Sequence, residues 1–236
     1  MKLRTRVFMQ LATLCLALAA SSFAADNAYL YIANGIPGRD LAKTASPAYP
    51  VDVLIGGQCV PRNLGFGTTG GPYSFAPGTY DMQISESNTL APCTNPAVID
   101  EQVTLSARSS VTAVATINGA QPALLQFTND LAAITAGSAR FVFGQAAEAG
   151  TLEATLTQVG VPDPKTYSVT ASAGAEQAIN VLPGIYLVQV FTSGGRAVLT
   201  SQTITLPDQS ATFTYATGQA ANNSISLIYK IVDGLF

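Results

Sequence analysis

The chain has 236 residues, 48% of them hydrophobic and only 11% charged, with 20 Gly, 13 Pro, no Trp and no His. The missing His excludes a Ser-His-Asp or Cys-His relay, a His-ligated zinc and an imidazole pH switch. A net charge of −3 argues against nucleic acid as a partner, and so apolar a composition excludes a disordered chain.

At the N-terminus, Lys2, Arg4 and Arg6 precede an apolar run over 7–20, and Ser22-Phe23-Ala24 offers small residues at −3 and −1 of a cleavage site. That is the layout of a secretory signal peptide over residues 1–24. The run is shorter than the roughly 20 residues of a spanning helix, so no membrane span is expected in the mature chain. Cys15 reads as signal-peptide filler, because Leu14 is bulky where a lipidated Cys needs a small neighbour. The chain is therefore expected to be exported, to the periplasm or the extracellular space. Removing residues 1–24 takes three cations and no anions and leaves a net charge of −6. Two cysteines remain, Cys59 and Cys93. An oxidising compartment favours their pairing, worth about 3–4 kcal/mol in the chain-entropy picture.

Short runs of β-branched and aromatic residues follow, punctuated by Gly, Pro, Asn and Ser. They predict strands at 28–33, 51–55, 79–85, 111–117, 140–143, 185–191, 203–206 and 211–216. Tyr80, Met82 and Ile84 alternate with Asp81, Gln83 and Ser85, one face buried and one wet. The Ala-rich pieces 130–139 and 144–150 are broken by Gly and Thr before a helical period builds. The class is all-β.

An internal repeat organises these strands. Pro77-Gly78-Thr79-Tyr80 returns as Pro183-Gly184-Ile185-Tyr186. Val103-Thr104-Leu105 returns as Ile204-Thr205-Leu206, and Val114-Ala115-Thr116 as Tyr215-Ala216-Thr217, both at an offset of 101. The reading is two tandem Greek-key β-sandwich domains, 26–131 and 138–236, joined by a linker at 132–137. Tyr80 and Tyr186 follow Pro-Gly turns and fit the corner of such a sandwich, where the hydroxyl bonds back to the backbone.

Residues 28–33, Pro50-Val51-Asp52-Val53, Asn63-Leu64-Gly65-Phe66-Gly67, Phe75-Ala76-Pro77-Gly78-Thr79-Tyr80 and Val103-Thr104-Leu105 together resemble the family called domain of unknown function 4397. The resemblance implies a secreted bacterial protein with tandem immunoglobulin-like domains. It covers most of 28–131 and, more weakly, 138–236. Where members often carry a His-Ala-Ser-Pro-like segment after the first strand, this chain has Asn34-Gly35-Ile36-Pro37-Gly38 and then Gln145-Ala146-Ala147.

Chemistry-bearing patterns are few. Asp52 and Asp81 lie in alternating strands, which places them on the solvent face, and Asp100-Glu101 reads as edge protection. Asn129-Asp130 and Pro162-Asp163-Pro164 hold too few carboxylates for calcium. The stretch 65–71 lacks the Lys and following helix of a phosphate cradle and reads as a flexible β-loop. No catalytic residue, cofactor or metal is assigned. The best candidate for binding is the long segment 35–50 with Arg39, Asp40, Lys43 and Tyr49, joined by 87–97. Exposed Tyr29, Tyr31 or Tyr73 would favour a glycan. The expected function is a non-enzymatic exported sandwich protein acting in structure, adhesion or ligand binding, with an envelope or extracellular protein or glycan as partner. The alternatives are a carboxylate-based hydrolase such as a glycosidase and, more remotely, an outer-membrane barrel, against which Lys230, Asp233 and Gly234 interrupt the last strand.

Overall fold

The structure is a computed structural model and describes residues 26–38, 49–195 and 197–233. The expected signal peptide and Cys15 lie outside the described residues. Within them the chain is all-β, with no α-helix, and its four sheets fall into two similar halves.

The first half holds β1 (Ala28–Asn34), β2 (Val51–Ile55), β3 (Gln58–Cys59), β4 (Thr68–Phe75), β5 (Gly78–Glu86), β6 (Ala97–Leu105), β7 (Ser110–Asn118) and β8 (Gln121–Thr128). The second holds β9 (Ala139–Gln145), β10 (Leu152–Gln158), β11 (Thr166–Ala171), β12 (Glu176–Val181), β13 (Gly184–Thr192), β14 (Val198–Leu206), β15 (Ser210–Thr217) and β16 (Ser226–Asp233). Sheet order is β4-β1-β7-β8 over β3-β2-β5-β6 in the first half, and β12-β9-β15-β16 over β11-β10-β13-β14 in the second. The wiring is the same strand for strand. In both halves the opening strand runs parallel to the seventh, β1 with β7 and β9 with β15, while the other pairings are antiparallel.

All eight runs expected as strands are strands. The stretch 65–71 is a correction, because its second part is strand β4, paired to β1 across an irregularity between Leu30 and Ile32. Gly71 makes that approach possible. Its φ is +110°, and a Cβ there would stand 2.7 Å from the Leu30 carbonyl oxygen.

Each half has its own core between its two sheets. Leu30, Ile32, Val51, Val53, Met82 and Ile84 lie in the first, and Phe141, Phe143, Leu156, Tyr186, Val188 and Leu206 in the second. A third apolar cluster lies between the halves and is built by the backs of the central strands. β1 gives Leu30 and Ile32 to its own core but Tyr31 and Ala33 to the third cluster. β9 divides Phe141 and Phe143 from Val142 in the same way, and β15 adds Ala211, Phe213 and Tyr215. Strands covered on both faces read as continuous apolar runs, and their parallel pairing suits that burial.

Residues 132–137, expected as a linker, cross this joint. Ile134 is buried in the third cluster, and Arg140 Nη1 donates to the carbonyls of Asp130 (3.3 Å) and Ala132 (3.0 Å) and pairs with Asp130 Oδ2 at 3.0 Å. A Cβ on Gly35 would meet Thr217 of the other half at 2.5 Å, and one on Gly144 would meet the Tyr215 ring of its own half at 2.5 Å and Phe127 of the first half at 3.4 Å.

Candidate functional site

Of the segment singled out for binding, Arg39, Asp40 and Lys43 lie outside the described residues. Tyr49 is buried in the first core and offers no surface to a ligand. What is visible is how the segment is closed. Asn34, fully buried at the end of β1, accepts from the Ile36 amide (3.1 Å) and donates to the carbonyls of Tyr49 (2.7 Å) and Leu64 (2.9 Å). Gln145, at the same place on β9, accepts from the Ala147 amide (2.7 Å) and donates to the Gly150 carbonyl (2.6 Å). These are the positions where the sequence departs from the family's His-containing segment. At both positions the departing residue is an amide clamp.

Cys59 and Cys93 form a disulfide, Cα–Cα 6.0 Å, that ties the loop after β5 to β3. Asp52 corrects the expectation of a solvent-facing carboxylate, since it is only 1% exposed. Alternation does turn it away from the core that Val51 and Val53 enter, but the 87–95 loop covers that outer face. Asp52 accepts from the amides of Asn63 (2.7 Å), Asn88 (3.0 Å) and Cys93 (3.1 Å) and from the Ser87 hydroxyl (3.0 Å). Burial pushes the carboxyl's pKa up, and these four donors together outweigh it and hold the pKa below the ordinary value. Around this hub, Asn88 Oδ1 accepts from the amides of Leu90 (3.2 Å) and Ala91 (3.1 Å), so the loop is ordered while Leu90 stands 96% exposed at its tip.

Two other carboxylates singled out from the sequence serve the surface. Asp81 accepts from Gln102 and Asp100 from Gln83, both across exposed strands. Among the described residues no three His, Cys, Asp or Glu side chains come together as a metal site. The Tyr80 hydroxyl donates to the Ala76 carbonyl and the Tyr186 hydroxyl to the Leu182 carbonyl, both at 2.7 Å and both four residues back. Burial, then neighbouring Tyr167, pushes the Tyr186 pKa up to about 12. Tyr31 is buried in the joint, Tyr73 is half-buried and Tyr29 is 39% exposed, so these three make no common aromatic platform.

Two concavities stand out among the described residues. A cleft of about 340 Å³ opens where the halves meet, lined by Thr116, Asn118, Leu125, Gln145, Glu148 and Ala173 among others. Several of its polar groups are engaged within the protein. Thr116 donates to the Ala146 carbonyl (2.7 Å), and Glu148 Oε2 accepts from the Gly119 amide (2.9 Å) and from Gln219. A second hollow, about 320 Å³, lies at the first tyrosine corner beside Gly56, Gly57 and Tyr80. The equivalent corner of the second half carries exposed Val159, Val161, Leu182 and Ile185. Neither concavity brings two carboxyl groups to face each other as a hydrolytic pair would require.

The family model described as Domain of unknown function (DUF4397) matches residues 41–155, from the segment before β2 into β10, and the chain resembles that family. No curated protein matches the chain. Among solved structures it is similar to a putative cell adhesion protein from Bacteroides ovatus, at 12% identity and a TM-score of 0.30 over 89% of this chain and 98% of the other. A protein of the same description from Bacteroides uniformis follows at 11% identity and a TM-score of 0.28, over 88% and 98%. The Bacillus anthracis TIE protein is similar at 8% identity and a TM-score of 0.25, over 82% of this chain and 33% of the other. The fold assignment rests on the chain's own sheets.

Proposed function

We propose that the protein is an exported, non-enzymatic component of the envelope or extracellular space, in which two β-sandwiches work as one stiff unit in structure, adhesion or binding of a protein or glycan. The observation that carries this reading is the apolar joint between the halves, with Tyr31, Phe127, Phe213 and Tyr215 buried in it. Neighbouring domains that pack through a large apolar interface move together rather than as beads on a string. The polar groups most suggestive of chemistry are committed to the fold. Asp52 is held by four donors and both corner tyrosines by backbone carbonyls. The disulfide supports export, since such bonds persist in oxidising compartments. Purified protein should bind a component of a panel of glycans, matrix proteins and envelope fractions while hydrolysing none of them. Turnover that survives purification and scales with protein concentration would overturn the proposal.

A further inference from the structure

Glu176 opens β12, the edge strand of the second half's inner sheet. It pairs with Gly144, which in turn pairs with Tyr215, so Glu176, Gly144 and Tyr215 form one row across three strands. Residues directly paired across a sheet point to the same face. That face is the joint, because the space above Gly144 is filled by the Tyr215 ring, with Phe127 of the first half behind it at 3.4 Å. Phe127 and Tyr215 stack there with centroids 5.0 Å apart, and the Tyr215 hydroxyl donates to Asn129 Oδ1 at 3.2 Å. The Glu176 carboxyl is thus a potential anion at a seam of aromatic rings, and its Oε2 is buried with no hydrogen-bond partner among the described residues.

We infer that Glu176 makes the joint between the two halves proton-sensitive: the joint closes around the neutral carboxyl and loosens when the carboxylate forms and must take up water. An ionised carboxylate with an unpartnered buried oxygen is disfavoured far more than a neutral acid. Glu176 as a whole is half-buried at the sheet edge, and the water its carboxylate needs at that oxygen loosens the seam it faces. The groups bearing on Glu176 act in the same sense. Asp130, from the connector, adds a like charge, although Arg140 of β9 pairs with it, and Tyr215 of β15 is held un-ionised by its own burial. Burial first and Asp130 second raise the Glu176 pKa from 4.5 to about 7. Closure is therefore favoured below about pH 4.5, weakens as pH rises toward 7, and stays at its weakest above that.

The test places spin labels on the exposed outer sheets, through Glu101→Cys in the first half and Thr203→Cys in the second, with the native disulfide intact. The inter-label distance is then followed from pH 4.5 to 8.5. The distribution should be narrow at the acid end and broaden with a midpoint near 7, the open fraction rising by about tenfold or more. Glu176→Gln should keep it narrow throughout, and Asp130→Asn should move the midpoint to lower pH. Carbon-13 NMR of the Glu176 carboxyl gives a check that needs no variant. A midpoint near 7 is expected, while one near 4.5, or a distance distribution that ignores pH, would overturn the inference.

Discussion

The two halves share every strand and every sheet order but secure their loops differently. After β1 the first half runs sixteen residues to β2, whereas the second runs six from β9 to β10. Both are closed by a buried amide at the strand end, Asn34 or Gln145, and the longer one needs two carbonyl anchors where the shorter needs one. After β5 the first half makes a ten-residue loop, while β13 and β14 are joined by five residues. The longer loop carries Cys93 of the disulfide and three of the four donors to Asp52. The residue corresponding to Asp52 in the second half is Glu153, half-buried on β10. The loops, rather than the sheets, decide where covalent and ionic reinforcement falls, which agrees with the rising entropy of closing longer loops.

That contrast can be broken in a definite order. Asp52→Ala strands three amides, so it should destabilise by about 3–4 kcal/mol in denaturant unfolding, against under about 0.5 kcal/mol for Glu153→Ala. Replacing Cys59 and Cys93 together with Ser should cost about 3 kcal/mol, with the added protease sensitivity confined to residues 87–96. Asn34→Ala and Gln145→Ala should each cost about 2 kcal/mol; a negligible effect at Gln145 would mean that only the long segment needs a clamp. The corner tyrosines come last. Tyr186→Phe should cost about 1–1.5 kcal/mol, and Tyr80→Phe about half that, because Tyr80 is the more accessible.

The halves should differ in acid as well. The Asp52 pKa is lowered on folding, from 3.8, so its stabilisation is present above that value and is lost as pH falls through the lower folded value. Melting curves of Asp52→Asn should be less stable at neutral pH but show a flatter acid limb than the parent chain. An unchanged acid limb would remove Asp52 from the account.

Much of this architecture is legible in the sequence. Turn residues, β-branched runs and the returning Pro-Gly-x-Tyr specify an all-β chain in two similar halves, because they act over a few residues each. The joint was less visible. Runs such as 28–33 and 111–117 are apolar at nearly every position, a mark of strands covered on both faces, and that mark is easily taken for ordinary strand composition. The burial of Asp52 is not legible, because alternation says which way a side chain points but not what lies over it. Asn34 and Gln145 stand out in the sequence only as departures from a pattern, since a lone amide does not announce the carbonyls it will meet.

Residual dipolar couplings from backbone amides on both sides of 132–137 test the joint most directly. If the third apolar cluster locks the halves together, a single alignment tensor at mildly acidic pH should fit the couplings of 26–131 and 138–233. Two tensors of clearly different magnitude would contradict it, and with it the picture of one stiff two-sandwich unit.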